Sequence, residues 1–163
     1  MVKLDDMKLR VRRTSHLTLR CRDLGTSQEF YQAMLNLFAV GEDETGRVFL
    51  AGDPDTKLPV LALSQAPEAG VPVPTPKKMY GLEHFSIETG SFQQLQAIYR
   101  RFKENGVTVD HTMDHGITNS IYFLDPDGNL IEVYYDVPRA EYPEPVYPFA
   151  SYGSIDDRLA KID

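Results

Sequence analysis

Apolar and polar positions alternate over short runs along this chain and then switch to helical spacing, and they do so twice. The stretch SHLTLRCRDLGTSQEFYQAMLN opens at Ser15 with an alternating segment and then turns to helical spacing; EHFSIETGSFQQLQAIYRRFKENG does the same from Glu83. Strand side chains alternate between two faces, whereas helical neighbours recur at spacings of three and four. On that basis the first helix sets Phe30, Met34 and Leu37 on one stripe, and the second sets Phe92, Leu95, Tyr99 and Phe102. Ser91 followed by Gln94 has the spacing of a capping box, and Asn105-Gly106 is a stop signal. Three short strand candidates follow each helix: 38–41, 47–51 and 58–64 in the first copy, 107–113, 118–124 and 129–136 in the second. Each half therefore predicts strand, helix, strand, strand, strand.

This pattern divides the chain into an N-terminal arm (1–13), a first βαβββ module (14–64), a second (81–136) and a C-terminal tail (137–163). Residues 65–80 join the modules. Their sequence, QAPEAGVPVPTPKKMY, is rich in proline and reads as a linker or flap. The tail carries Pro138, Pro143, Pro145 and Pro148 with interleaved tyrosines, a composition suited to wrapping over a surface or a partner chain. The fold class is α+β.

Alternation also sorts the polar residues. His16, Thr18 and Arg20 share one face of the first strand, with Leu17 and Leu19 on the other; in the repeat, His84, Ser86 and Glu88 oppose Phe85 and Ile87. The apolar faces should pack on the helices, which leaves the two histidines at equivalent places on the polar, concave face. The hairpin IYFLDPDGNLIE supplies a third group. Asp125-Pro126-Asp127-Gly128 suits a type I turn followed by glycine in the left-handed region, a three-residue loop with a bulge. That register pairs Asp125 with Asn129 and so Tyr122 with Glu132, with Cβ atoms about 4.5–5.5 Å apart. Glu132 sits between Ile131 and Val133 in a strand built for a core. An isolated ionised carboxylate there is costly and calls for a cation or a hydrogen-bonded partner. His16, His84 and Glu132 together make a 2-His-1-carboxylate set, which holds a divalent metal and leaves coordination positions open. The competing arrangement is a buried His–Glu hydrogen-bond network without metal.

Composition narrows the partners. Lys and Arg total 17 against 24 Asp and Glu, a net charge of -7 over 163 residues. Nucleic-acid binding needs cationic contacts to phosphate, so that class is set aside. The basic cluster KLRVRR, Lys8 to Arg13, reads as a solvated entry to the first strand. Cys21 is the sole cysteine, which rules out an intramolecular disulfide, fits a reducing cytoplasm, and marks a small core or rim residue. No apolar run approaches membrane-spanning length and the N-terminus lacks a signal-peptide apolar region, so no membrane partner is expected.

The paired modules and the three candidate ligands resemble the vicinal oxygen chelate superfamily, which includes glyoxalase I, fosfomycin-resistance thiol transferases, bleomycin-binding proteins and extradiol ring-cleaving dioxygenases. The resemblance implies two βαβββ modules forming a partly open, metal-centred β-barrel, with His16, His84 and Glu132 as metal ligands. Glyoxalase-like members usually place a fourth ligand on the last strand of the first module; here LPVLALS offers Val60, Ala62 and Ser64, none a strong ligand. The run from His115 through Ile121-Tyr122, Asp125-Pro126 and Gly128 to Glu132 is similar to the extradiol dioxygenase signature, departing from it at Met113. A second catalytic histidine of many two-domain relatives has no counterpart, since residues 60–83 contain no histidine.

The resemblance thus implies a one-domain, non-haem extradiol (meta) ring-cleaving dioxygenase that takes a catechol-type aromatic and dioxygen, with His115 as general acid or base and Tyr122 hydrogen-bonding a substrate oxygen. It implies Fe(II), although the same ligands accept Mn(II), Zn(II) or Ni(II). A homodimer or higher homo-oligomer is the expected state. The alternatives are a metal-dependent thiol transferase or isomerase of the same superfamily, and a non-catalytic aromatic-binding protein. His111, in VDHTMDHG, reads as surface or pocket rim.

Overall fold

The structure, a computed structural model, describes residues 13–68, 81–145 and 150–161. The arm up to residue 12, with most of its basic cluster, the greater part of the linker (69–80) and Pro148 lie outside the described residues. The first module runs β1 (Leu17–Cys21), α1 (Leu24–Leu35), β2 (Phe38–Glu42), β3 (Val48–Ala51) and β4 (Pro59–Gln65). The second runs β5 (Phe85–Glu88), α2 (Phe92–Glu104), β6 (Val109–Asp114), β7 (Thr118–Leu124) and β8 (Leu130–Asp136). A short 3-10 turn (Arg139–Glu141) and one further helical turn, α3 (Asp156–Leu159), follow among the described residues.

The two modules share one topology. Strand order is β1-β4-β3-β2 in one sheet and β5-β8-β7-β6 in the other, and the first-named pair in each is parallel. The parallel pairing follows from the helix that separates the first strand from the rest, since a parallel return needs a crossover. No strand pair joins the two sheets among the described residues, so they stay open rather than closing into a barrel.

Local chemistry sets the helix ends. Asp23 caps α1, its Oδ1 accepting the Thr26 amide at 2.7 Å, and Asn36 ends that helix in the left-handed conformation with φ 56°. At α2, Ser91 Oγ accepts the Gln94 amide at 3.2 Å, while Gln94 Oε1 reaches back to the Gly90 amide at 2.8 Å. This is the expected capping box with its reciprocal bond moved one residue outward. The α2 stripe is as expected, with Leu95, Tyr99 and Phe102 buried. In α1 the buried face is instead Ser27, Tyr31 and Met34; the helix has already ended where Leu37 enters the core.

The apolar faces of both sheets and both long helices pour into one core that includes Tyr31, Leu50, Leu61, Phe102, Phe123 and Ile131. Phe123 bridges the modules, its ring centroid 4.5 Å from Phe102 and 6.2 Å from Phe30. Each such side chain contributes about 1.5–3 kcal/mol on burial. With the apolar faces turned inward, Thr18, Arg20, Ser86 and Glu88 are left exposed on the polar faces. The tail folds back on the second module: Ile155 and Leu159 enter the shared core, and Tyr99 donates its hydroxyl to Asp156 at 2.9 Å.

Candidate metal centre

Pairing on both sides of β8 builds the centre. Glu132 stands opposite Ser86 in the parallel register and opposite Tyr122 in the antiparallel one. The hairpin loop that sets the second register has the expected form, with the Asp125 amide bonded to Asn129 O at 3.1 Å and Gly128 at φ 86°. Glu132 is 8% exposed. Its Oε1 accepts the Tyr122 hydroxyl at 3.0 Å and its Oε2 accepts the Ser86 hydroxyl. His84 presents Nε2 at 3.5 Å from Oε2, too long for a hydrogen bond.

That spacing suits a shared cation. Two donors each about 2.1 Å from one ion stand about 3.0–3.4 Å apart. An imidazole nitrogen and a nearly buried carboxylate oxygen are also the donor types a divalent transition metal accepts. His84 and Glu132 therefore fit a metal as a pair. The third expected ligand does not join them. His16 lies at the exposed start of β1, its Nδ1 paired with Ser15 Oγ at 3.0 Å and its ring 6.2 Å from Phe49. Among the described residues no group of three His, Cys, Asp or Glu side chains is placed to hold a metal ion.

Tyr122 is the hub of the remaining polar groups. The His84 ring meets it edge-on at 5.3 Å, and His115 Nε2 lies 3.1 Å from its hydroxyl. Its hydroxyl donates to Glu132 Oε1 and also lies within hydrogen-bond distance of His115 Nε2. Burial, and then the Glu132 charge and hydrogen bond, push the phenol above its ordinary pKa.

Two participants were not singled out by the sequence, and a third, His111, was expected only as surface or pocket rim. Ser86 was placed on the right face without a role. The carbonyl of Ala150, 35 residues away, lies 2.9 Å from His115 Nδ1, and nothing local announces it. His111 stacks flat on Tyr122, centroids 4.1 Å apart and planes at 9°, with Nδ1 held by Asp110 at 2.8 Å. A bulge between Val109 and His111 sets it opposite Tyr122. The available signal was alternation, which counts back from His115 through Met113 to His111 on one face.

The profile of the Glyoxalase/Bleomycin resistance protein/Dioxygenase superfamily matches residues 13–133, and the chain belongs to that superfamily. It is 32% identical over 124 residues to a catechol-2,3-dioxygenase of Bacillus subtilis (strain 168), covering 76% of this chain and 41% of that protein. The chain thus spans less than half the length of that relative. It is 30% identical to the glutathione transferase FosA of Serratia marcescens, over 74% of this chain and 78% of that one. Among solved structures, a glyoxalase/dioxygenase from Nostoc punctiforme superposes with a TM-score of 0.68 at 25% identity, covering 85% of this chain and all (100%) of the other. No helix among the described residues is long and apolar enough to cross a membrane.

Proposed function

We propose that the protein is an Fe(II)-dependent extradiol dioxygenase that opens a catechol-type ring beside, not between, its two hydroxyls, placing both atoms of dioxygen in the product. The observation that carries this reading is the hydrogen-bonded series His115–Tyr122–Glu132 next to His84, in which an imidazole and a phenol border a nearly buried carboxylate. His84 and Glu132 would hold the ion with His16. Because His16 does not group with them within one chain, its contribution would come from the first module of a second copy in a homodimer. The ion, when bound, supplies Lewis acidity that favours the deprotonated catechol and the one-electron chemistry dioxygen requires.

The chain's own residues do the rest. Tyr122 offers its hydroxyl as a hydrogen-bond donor to a substrate oxygen, and the His111 ring stacked on it steadies the phenol. His115 Nε2, 3.1 Å from that hydroxyl, takes the proton shed on catechol binding and returns it when the ring opens. The near-complete burial of Glu132 keeps water from competing for the same oxygens.

Anaerobic loading with Fe(II), followed by oxygen uptake with a panel of catechols, tests the reading. Uptake matched one-to-one by ring-opened product supports it; bound iron without uptake refutes it. A second reading, a metal-dependent thiol transferase, is favoured by one observation: the chain spans 78% of the glutathione transferase relative but 41% of the dioxygenase. It predicts thiol consumption that is indifferent to dioxygen.

A further inference from the structure

The C-terminal tail returns to the second module at one place that matters for the site. Asp114, the last residue of β6, gives its amide to Gly153 O and accepts from the Tyr152 amide, both at 2.8 Å. Both backbone groups of that edge-strand residue are thus taken by the tail, which crosses the end of β6 there. The next residue along the chain from Asp114 is His115, and the tail residue that reaches it is Ala150, whose carbonyl lies 2.9 Å from Nδ1.

Several features hold the tail in that position. Gly116 has φ +79°, and a Cβ there would sit 2.7 Å from the Tyr152 ring and 2.9 Å from Pro143, so the tail approaches closer than any side chain at 116 would permit. Arg158 pairs with Asp114 at 3.1 Å, and Gln96 Nε2 donates to Arg158 O at 3.0 Å. Thr112 Oγ1 meets Ser154 Oγ at 2.9 Å and accepts the Ile155 amide at 3.1 Å. Ile155 and Leu159, 2% and 0% exposed, anchor the far end in the core.

A backbone carbonyl can only accept a hydrogen bond, so the nitrogen facing it must carry hydrogen. Which ring nitrogen of a histidine is protonated follows from the bond its other nitrogen makes. We propose that the tail is a working part of the site: the Ala150 carbonyl fixes His115 with its proton on Nδ1, which leaves Nε2 to exchange a proton with Tyr122. Ala150 is a positioning residue acting through His115. The inference rests on the proposed acid–base role of His115, but the tautomer is observable in the metal-free chain without any turnover.

The test is a long-range proton–nitrogen NMR spectrum of the ¹⁵N-labelled full chain at pH 8, where an ordinary imidazole is neutral, with His115→Asn identifying the signal among the four histidines. Nδ1 bearing hydrogen, alone or together with Nε2, is the expected result; Nε2 alone bearing it overturns the proposal, whether or not any variant folds. Tyr152→Pro removes the amide that bonds Asp114 while leaving Ile155 and Leu159 in place. It should release the Nδ1 proton and lower kcat at least tenfold with KM little changed. An unaltered Nδ1–H signal in folded Tyr152→Pro also overturns the proposal. The two readings fail separately: Nδ1–H without oxygen uptake removes the dioxygenase and leaves the strap, whereas uptake with Nε2–H alone removes the strap and leaves the dioxygenase.

Discussion

The Tyr31 hydroxyl donates to Asp125 Oδ2 at 2.8 Å, tying the helix of one module to the hairpin loop of the other. Tyr31 is fully buried and Asp125 nearly so. Beside them the Arg22 amide and Ser27 Oγ both donate to Asp127, at 3.2 Å each. The loop that aligns Tyr122 with Glu132 is therefore clamped by the first module, and the register of the candidate site depends on contacts between modules as well as on its own turn.

Tyr31→Phe should destabilise the fold without disturbing the site. Asp125 keeps the Asp127 and Asn129 amides on Oδ1 and Asn129 Nδ2 on Oδ2. The loss should therefore fall at the lower end of the about 1–3 kcal/mol expected when one bond to a buried charged group is removed. Urea unfolding reads this as a lower midpoint at unchanged slope. No change in midpoint would show that the clamp is idle.

Alkali should unfold the protein through its buried phenols, Tyr31 and Tyr99 among them. Burial, then the Asp125 charge, raises Tyr31 well above the ordinary value of 10, and burial with the Asp156 bond pushes Tyr99 up to about 12. A raised folded pKa means the stabilisation is complete below pH 10 and is lost as pH rises toward the folded value, because the unfolded phenols ionise first. Thermal melts should fall steeply above pH 10, and the fall should be shallower in Tyr31→Phe. An equal slope in both proteins would contradict the assignment.

His115→Gln should lower kcat by about 100-fold or more, the usual contribution of a positioned acid–base group, with metal affinity retained. Tyr122→Phe should lower kcat less and leave the hairpin intact. Steady-state kinetics with metal analysis separates the two effects. Loss of metal from either variant would place these residues in the ligand set instead.

His111 is predicted to act through its flat face. His111→Phe preserves a ring over Tyr122 and should be nearly neutral, whereas His111→Ala removes a stack worth about 0.5–1.5 kcal/mol and should lower kcat/KM roughly 2- to 12-fold. Equal losses in both variants would mean that its nitrogens, not its face, are used.

The modules were legible because their signals are local. Alternation names the polar face of each strand, and DPDG followed by asparagine sets the register that pairs Tyr122 with Glu132. His84 and Glu132 were brought together as that pattern predicts. What stayed hidden depends on packing between segments distant in sequence. The stripe Phe30–Met34–Leu37 missed Tyr31, whose burial is fixed by Asp125, 94 residues on. The return of the tail to Asp114 is made largely by backbone groups, which carry no sequence signal. His16 and His84 occupy equivalent repeat positions, but the repeat does not say which first module meets which second one. Among the described residues the two sheets share a core without a strand pair between them.

A cation held by His84 and Glu132 would explain why a carboxylate lies buried in this sheet. Equilibrium titration of the metal-free protein with Fe(II) under anaerobic conditions tests this most directly, with His84→Ala and Glu132→Ala as comparisons. One ion per site is expected in the natural chain, with an affinity lower by at least a hundredfold in each variant and folding unchanged by circular dichroism. Equal binding in all three proteins, or none in the natural chain, would contradict it.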